Sequence, residues 1–410
     1  MKTVKQTEKA EEDVVSIREQ MRWLPGFLQG FLTWLTGKPL INQQPKLRRS
    51  NLSHLATAYA ALSIGLMISL TVWGTTWCVL LPVGWILTVS GARKLMTTIN
   101  HYCVHKDLLP EKMRLKHPRW HEFIADFNSS LLFLGDYKNY ADEHHTHHKL
   151  KVTATMIDPD MIFMWMIGFR AGYSRLRLWL TLLFNLFFPL SVLHLLFMKM
   201  RIKTVFLHSN PLRAITTLVV VGLLVYLGIT TSGAKVWWAI LFPLTYLYHI
   251  ASLLQFASEH IWLHKTDADG KLSDKHPGKE LFERIPFLTV GRFSGSPIPD
   301  MKGVSMISKV LGIAGWAAKM LFVHLPIRLF VLPGDLPQHD WHHRCGFGAD
   351  WPNAAYARQQ FIKDLKATDQ PFTEIWGFWN VIAMVFDQLS RMSPLQLENE
   401  KLEGEAVMSM

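Results

Sequence analysis

The sequence predicts an all-α membrane protein with four transmembrane helices in two hairpins and a helical cytoplasmic cap. Composition, four long apolar stretches and the placement of basic residues predict this class. Of 410 residues, 49% are hydrophobic, with 16 Trp and 24 Phe, yet 18% are charged. This mixture is too apolar for an average soluble enzyme and too charged for a bundle that lies wholly in lipid, so it indicates a membrane part with a large polar cap.

The four predicted spans form two helical hairpins. Residues 55–77 are uncharged, and residues 79–100 follow after a single residue. Residues 214–230 and 236–257 make the second pair, with only Lys235 as a charge in the short connection. Each stretch has about the length that crosses a bilayer as a helix.

Basic residues predict the orientation of these hairpins. The segment PKLRRS precedes the first hairpin, and KMRIK and Arg213 precede the second. The positive-inside rule therefore places both connections outside and all flanking segments in the cytoplasm. The same bias accounts for the net charge of +11, so we expect no nucleic-acid partner. Residues 178–198 and 306–332, which Pro, Lys and Arg interrupt, are predicted to be interfacial amphipathic helices.

Three regions follow from this pattern. Residues 1–50 are predicted to be an N-terminal cytoplasmic or interfacial segment, and residues 51–345 the membrane domain. Residues 346–410 are predicted to form a C-terminal cytoplasmic helix and a disordered tail. The three cysteines form neither a disulfide framework nor a C-x-x-C zinc pattern.

Histidine clusters at the predicted cytoplasmic ends of the spans are the main functional signal. They occur as HYCVH at 101–105, HHTHH at 144–148, SEH at 258–260 and HDWHH at 339–343. Because residues three and four apart share a helix face, each of the three boxes can direct two or three imidazoles to one side. His145 is turned off that face. The co-facial histidines are His101, His105, His144, His147, His148, His339, His342 and His343.

These eight imidazoles and His260 are too many for one metal ion. Structural zinc takes four ligands and catalytic zinc usually three, so nine suit two ions with positions left open for a reactant. Imidazole suits Zn, Cu, Fe and Ni alike, so ligand type does not name the metal. The H-x-x-x-H pair His117 and His121 is interpreted as surface histidines instead.

The boxes, taken together, resemble those of the membrane fatty acid desaturase superfamily, H-x(3–4)-H, H-x(2–3)-H-H and H/Q-x(2–3)-H-H. The D-P-D at 158–160 and the QFASEH at 255–260 resemble segments that accompany the boxes in that superfamily. The resemblance implies a non-haem diiron site that uses dioxygen to attack an unactivated C–H bond. The implied ligands are His101, His105, His144, His147, His148, His260, His339, His342 and His343.

The ninth ligand departs from the family pattern. Members of the acyl-CoA branch place an Asn four residues before the extra histidine. Here that position is Phe256 if His260 is the ligand, or His260 itself if His264 is. Carboxylates that could accept the second imidazole N–H of a ligand are Glu259, Asp158 and Asp340, with Asp142 and Glu143 as further candidates.

Three classes of activity compete at this stage. Desaturation of a fatty acyl chain is the first hypothesis, and hydroxylation or related oxygenation of a hydrophobic substrate the second. A histidine-rich metal transporter is a remote third, because transporters place their ligands near the bilayer midplane. The soluble diiron fold is disfavoured because no pair of Glu-x-x-His motifs is present.

Electrons must come from another protein. The HPG within KHPGKE at 275–280 resembles a haem-ligating motif of fused cytochrome b5 domains, but the predicted loop is too short for such a domain and is interpreted as a turn. We therefore expect a separate ferredoxin, rubredoxin or cytochrome b5. The lack of a fused donor favours a bacterial inner membrane over the endoplasmic reticulum.

Overall fold

Helices make up most of the computed structural model, which describes residues 16–149, 152–153, 158–261, 289–345, 350–366 and 372–391. Trp262, His264, the KHPGKE segment and the predicted C-terminal tail from 392 onward lie outside these residues. The helices are α1 Gln29–Thr36, α2 Asn51–Val72, α3 Cys78–Val104, α4 Glu111–Lys116, α5 Trp120–Leu131, α6 Tyr137–His147, α7 Pro159–Met166, α8 Arg175–Phe187, α9 Val192–Phe206, α10 Pro211–Thr230, α11 Gly233–Glu259, α12 Met306–Phe330, α13 His339–Arg344, α14 Ala354–Lys363 and α15 Phe378–Arg391.

The first hairpin packs unusually tightly. Helix α2 begins where the Ser50 side chain accepts a hydrogen bond from the backbone N–H of Ser53, and α3 returns antiparallel to it. Glycines stand where the two backbones meet. A Cβ atom on Gly91 would lie 2.3 Å from the backbone N of Leu62, and one on Gly65 would lie 2.3 Å from that of Thr88. Small residues at helix contacts are typical of membrane bundles.

The second hairpin, α10 and α11, contacts the first near the connections. The Trp85 indole N–H donates to the carbonyl O of Trp238 over 2.7 Å, and the Trp73 and Trp238 rings stack with centroids 6.0 Å apart. Trp238 therefore lies at the far end of the helices from the histidine boxes.

By length and composition, five helices among the described residues could cross a membrane: α2, α3, α10, α11 and α12. The bent pair α8 and α9, at 42°, would make a sixth span if it counts as one. The predicted number of four spans is therefore not confirmed. Helix α12 covers the stretch predicted to be interfacial. It runs for 25 residues through Pro326 because a π-helical turn, Met320–His324, precedes the proline and absorbs the lost hydrogen bond.

Segments at both ends of the chain pack onto the membrane helices. Met21, Leu32 and Leu35 form a buried cluster with Met320 of α12. Helix α15 buries Val381 and its neighbours in the main apolar core. Strands β1 (Gly291–Phe293) and β2 (Glu374–Trp376) pair in parallel, with Gly291 opposite Glu374, and so tie the C-terminal region to the segment that precedes α12. These elements surround the cytoplasmic ends of α3 and α11 in the predicted orientation.

The glycine contact in the first hairpin gives a testable prediction. We expect Gly91→Ala to destabilise the protein by about 1–3 kcal/mol, because its Cβ meets the α2 backbone, which has no side-chain freedom to yield. Gly222→Ala on α10 is the matched control: its Cβ would meet nothing within 4 Å, and Ala favours helix. Thermal unfolding in detergent compares the two. Equal melting temperatures for both variants would contradict the predicted close packing.

Candidate metal centre

The first histidine box lies at the end of α3, immediately after a π-helical stretch. Leu95–Asn100 is π-helical, and His101 begins the α-helical turn that follows. A π stretch shifts the register of side chains along a helix and occurs often at functional sites. His101 is buried and His105, one turn later at the C-cap, is half-buried.

The second box lies on α6. The Asp136 carboxylate caps this helix by accepting the backbone N–H of Asn139 over 2.9 Å. Helix α6 ends at His147, with His148 as its C-cap, so His144, His147 and His148 lie on the last turn. His145 is exposed, as the predicted helix face requires.

The third box forms the short helix α13, and His260 ends α11. Helix α13 begins at His339 after a 3-10 turn, Leu336–Gln338, in which Pro337 favours the start of a helix. His260 leaves helical geometry and forms an antiparallel bridge with Thr289. Four separate segments thus deliver histidines to one place.

The imidazoles form two groups. In the first, Nε2 atoms are 3.0 Å apart for His101 and His342, 3.1 Å for His105 and His144, and 2.7 Å for His342 and His148. This group holds five histidines: His101, His105, His144, His148 and His342.

In the second group, the Nε2 atoms are 3.3 Å apart for His147 and His343 and 3.3 Å for His339 and His260. The Nε2 atoms of His343 and His339 are 3.0 Å apart. These four histidines, with the five of the first group, are the nine implied by the boxes and the QFASEH segment. The alternative ninth residue, His264, lies outside the described residues.

These separations fit two metal ions. Metal–nitrogen bonds of about 2.0–2.1 Å place neighbouring ligand nitrogens about 2.9 Å apart at right angles and about 3.4 Å apart in a tetrahedron. The observed 2.7–3.3 Å fall in and around that interval. A metal also requires neutral imidazole. Burial lowers the pKa of His105 to about 4 and, together with His147, that of His148 to about 2.

His147 differs from the other histidines because carboxylates face its outer nitrogen. Burial lowers its pKa, but Asp160 and Asp158 outweigh burial and raise it to about 9. Both Asp158 carboxylate oxygens lie 2.9 Å from Nδ1. Nδ1 therefore donates to Asp158, and Nε2 is directed to the second group. Such a contact fixes the tautomer and ring orientation of a metal-binding histidine.

The other predicted carboxylates take two different positions. Glu259 Oε1 lies 3.5 Å from His339 Nδ1, and Arg292 and Gln255 hold the Glu259 carboxylate by hydrogen bonds of 3.3 and 2.8 Å. Asp340 instead accepts from the guanidinium of Arg358, the shortest contact being 2.6 Å, and from the backbone of Trp341. Its described bonds thus anchor α13 to α14 rather than orient an imidazole.

Sequence reasoning missed Trp351. This indole is 2% exposed, and its ring centroid lies 4.5 Å from that of His342 and 5.7 Å, stacked, from that of His105. It packs against two histidines of the first group. Sequence spacing does not reveal this role, because a single aromatic residue forms no periodic pattern with His342, nine positions earlier, or with His105, more than 200 positions earlier.

His121 also differs from expectation. It is not on the surface but 2% exposed, and its Nε2 accepts a hydrogen bond from the backbone N–H of Leu109 over 3.4 Å. It belongs to neither histidine group among the described residues.

A cavity of about 470 Å³ reaches both groups. This volume is within the range of small-molecule sites. Phe197, Met200 and Phe256 supply apolar walls, and Thr97, Gln255 and Glu259 supply polar ones. His101, His144 and His342 of the first group and His147 and His339 of the second line the same space. A molecule in the cavity is therefore beside both groups.

Comparison with protein families gives one match. The family described as fatty acid desaturase matches residues 75–279, which is 205 of the 410 residues. The chain belongs to the fatty acid desaturase family. The match contains the first two boxes and His260, whereas the third box lies beyond it. No curated protein and no solved structure matches the chain.

Membership of the desaturase family indicates a membrane-bound oxidoreductase that acts in a lipid context on a fatty acyl substrate. The family typically uses iron, and the two histidine groups of this desaturase-family protein could hold metal.

The Asp158 contact gives a prediction. We expect Asp158→Asn to weaken metal binding about 10–100-fold, because His147 loses the carboxylate that orients its ring. Titration of the metal-free protein with Fe²⁺ under anaerobic conditions measures this affinity. Asp142→Asn is the control, because Asp142 is exposed and lies on α6, the helix that carries His147. Unchanged affinity in Asp158→Asn would show that its hydrogen bond does not support a ligand.

Proposed function

We propose that this protein is an O2-dependent fatty acyl desaturase whose nine histidines hold two iron ions. The observation that carries the proposal is the convergence of nine imidazoles, in groups of five and four, on one cavity in a chain of this family. Bound there, the two irons supply the dioxygen chemistry that removes hydrogen from an alkyl C–H bond, which amino-acid side chains alone do not perform.

The chain's own residues would bind the metal ions and orient the histidine ligands. Asp158 orients His147 by accepting a hydrogen bond from its Nδ1–H. Glu259 Oε1 faces His339 Nδ1 and can orient that ring in the same way. Trp351 packs against His342 and His105 of the first group and so restricts their ring positions. An all-imidazole set leaves the positive charge of the ions uncancelled, which distinguishes the site from the carboxylate-rich soluble diiron proteins.

The apolar walls of the cavity suit a hydrophobic substrate. An acyl chain that lies along Phe197, Met200 and Phe256 passes both histidine groups. The cavity walls therefore determine which carbon atoms of the chain lie beside the metal site. Exclusion of water by the chain protects the reaction from side reactions. We expect the substrate to enter from the bilayer and a separate ferredoxin, rubredoxin or cytochrome b5 to dock on the cytoplasmic face, in a bacterial inner membrane.

Hydroxylation or related oxygenation is the second candidate. The polar wall beside the histidines, formed by Thr97, Gln255 and Glu259, suits a substrate or product that carries a hydroxyl group. A metal transporter is disfavoured because the histidine groups lie at and beyond the ends of α3 and α11 rather than at their middle.

Metal content and product analysis test the proposal together. We expect about two irons per purified parent chain, as a two-metal site requires. His147→Ala and His342→Ala each remove a ligand from a different group, so both should lose iron and form no product. His145→Ala removes an exposed histidine of the same box and should keep both iron and activity.

Gas chromatography of the lipids of an expressing host distinguishes an alkene product from an alcohol. One zinc per chain, or full metal content in both His147→Ala and His342→Ala, would contradict the ligand assignment.

A further inference from the structure

Asp335 is a buried carboxylic acid that the proposed chemistry has not yet used. It lies in the segment between α12 and α13, four residues before His339, and is 8% exposed. No group among the described residues forms a hydrogen bond with its Oδ1 atom. Its backbone carbonyl starts the 3-10 turn by accepting the N–H of Gln338 over 2.8 Å.

Two cavities meet at Asp335. One is the cavity beside the histidine groups, and the other has a volume of about 350 Å³. Among the described residues that line them, Asp335 is the one common to both. The second cavity has polar walls that include Gln29, Thr33 and Gln43, and its lining reaches the exposed side chains of Lys46 and Arg49. It therefore extends from the protein surface to Asp335.

Charged and titratable groups around Asp335 leave its carboxyl available. Arg328 of α12, Lys94 and Tyr102 of α3 face it. The Arg328 guanidinium is occupied by the carbonyl oxygens of Trp34, Leu332 and Gly334, and the Lys94 ammonium donates to the Thr57 hydroxyl over 2.6 Å. Burial raises the pKa of Asp335 to about 7, although Arg328 and Lys94 oppose this rise. Both protonation states are therefore populated near neutral pH.

The proposed reaction needs a supply of protons. Desaturation converts R–CH2–CH2–R′, O2, two electrons from a one-electron carrier and two protons into R–CH=CH–R′ and two water molecules. Hydroxylation also consumes two electrons and two protons and gives one alcohol and one water. When an acyl chain fills the first cavity, it excludes water from the side through which it entered. The protons then require another route.

We propose that Asp335 relays protons from the second cavity to the first. The inference rests on the proposed function, since only a reduction of dioxygen consumes protons there. Asp335 takes a proton from water in the polar cavity and releases it on the side of the histidine groups. A group that can both gain and lose a proton near neutral pH is suited to this task.

Asp335→Asn removes the transferable proton and keeps the size of the side chain. We expect product formation to fall about 100-fold with unchanged iron content, and Asp335→Glu to restore most of it. The parent rate should fall as pH rises through about 7, because the protonated donor is lost, and Asp335→Asn should lack this step. Asp364→Asn is the control, because Asp364 is exposed and lines neither cavity.

A second readout does not depend on activity. Infrared spectra of the metal-free protein should show a protonated carboxyl band that disappears as pH rises through neutrality. Subtraction of the Asp335→Asn spectrum isolates the Asp335 band, which Asp364→Asn should retain. If Asp335→Asn loses iron or fails to fold, Ala355→Phe tests the relay instead. This substitution narrows the second cavity and leaves Asp335 in place, so it should slow product formation at least severalfold.

The results separate the two proposals. An active parent with Asp335→Asn and Ala355→Phe both within twofold of its rate overturns the relay alone, as does an infrared band unaffected by Asp335→Asn. A parent that holds two irons but forms no oxidised lipid overturns the proposed function, and the relay with it.

Discussion

The mutual approach of nine imidazoles is the constraint on which the rest of the structure depends. Nε2 atoms that face one another at 2.7–3.3 Å direct lone pairs at each other unless a proton or a cation lies between them. Burial disfavours a second, charge-bearing proton on the ring, as the low pKa of His148 shows, whereas Asp160 and Asp158 raise the pKa of His147. Metal ions of suitable size bind these nitrogens and relieve the repulsion, so metal affinity and fold are coupled in this region.

Holding the imidazoles together requires rigid supports, which buried ion pairs provide. Arg358 contacts Asp340 and Glu374, and Lys38 contacts Glu374 as well. These contacts join α13 to α14, to β2 and to the N-terminal segment. Arg292 performs a similar task for Glu259 at the end of α11. Loss of one partner from such a pair leaves a buried charge unpaired, which is the costly case. Regions outside the membrane hairpins therefore fix the site geometry.

Local patterns predicted part of this organisation, and long-range contacts account for the rest. The i, i+3, i+4 spacing correctly grouped His144, His147 and His148, because a helix face is a local property. The carboxylate of Asp158 could be proposed for the same reason, since it closely follows its box. Trp351 and Asp335 could not be found, because their roles depend on which distant segments they meet. The sequence predicts residues 306–332 to be interfacial because they contain Lys, Arg and Pro. In the structure Arg328 is buried and donates to backbone carbonyls, and the π turn accommodates Pro326, so neither residue interrupts the helix.

The two cavities give the site two opposite environments. An acyl chain needs apolar walls and dry surroundings, whereas reduction of dioxygen needs protons that only a polar environment supplies. A single open cavity would fail one of these needs, because water that brings protons also reaches the reacting carbon atoms. In this protein the polar cavity lies behind Asp335, against the N-terminal segment, and the apolar cavity lies among α3, α9 and α11. The N-terminal segment consequently serves the site from a distance, because its residues line the polar cavity on one side of the Asp335 carboxyl, whose other side faces the substrate cavity.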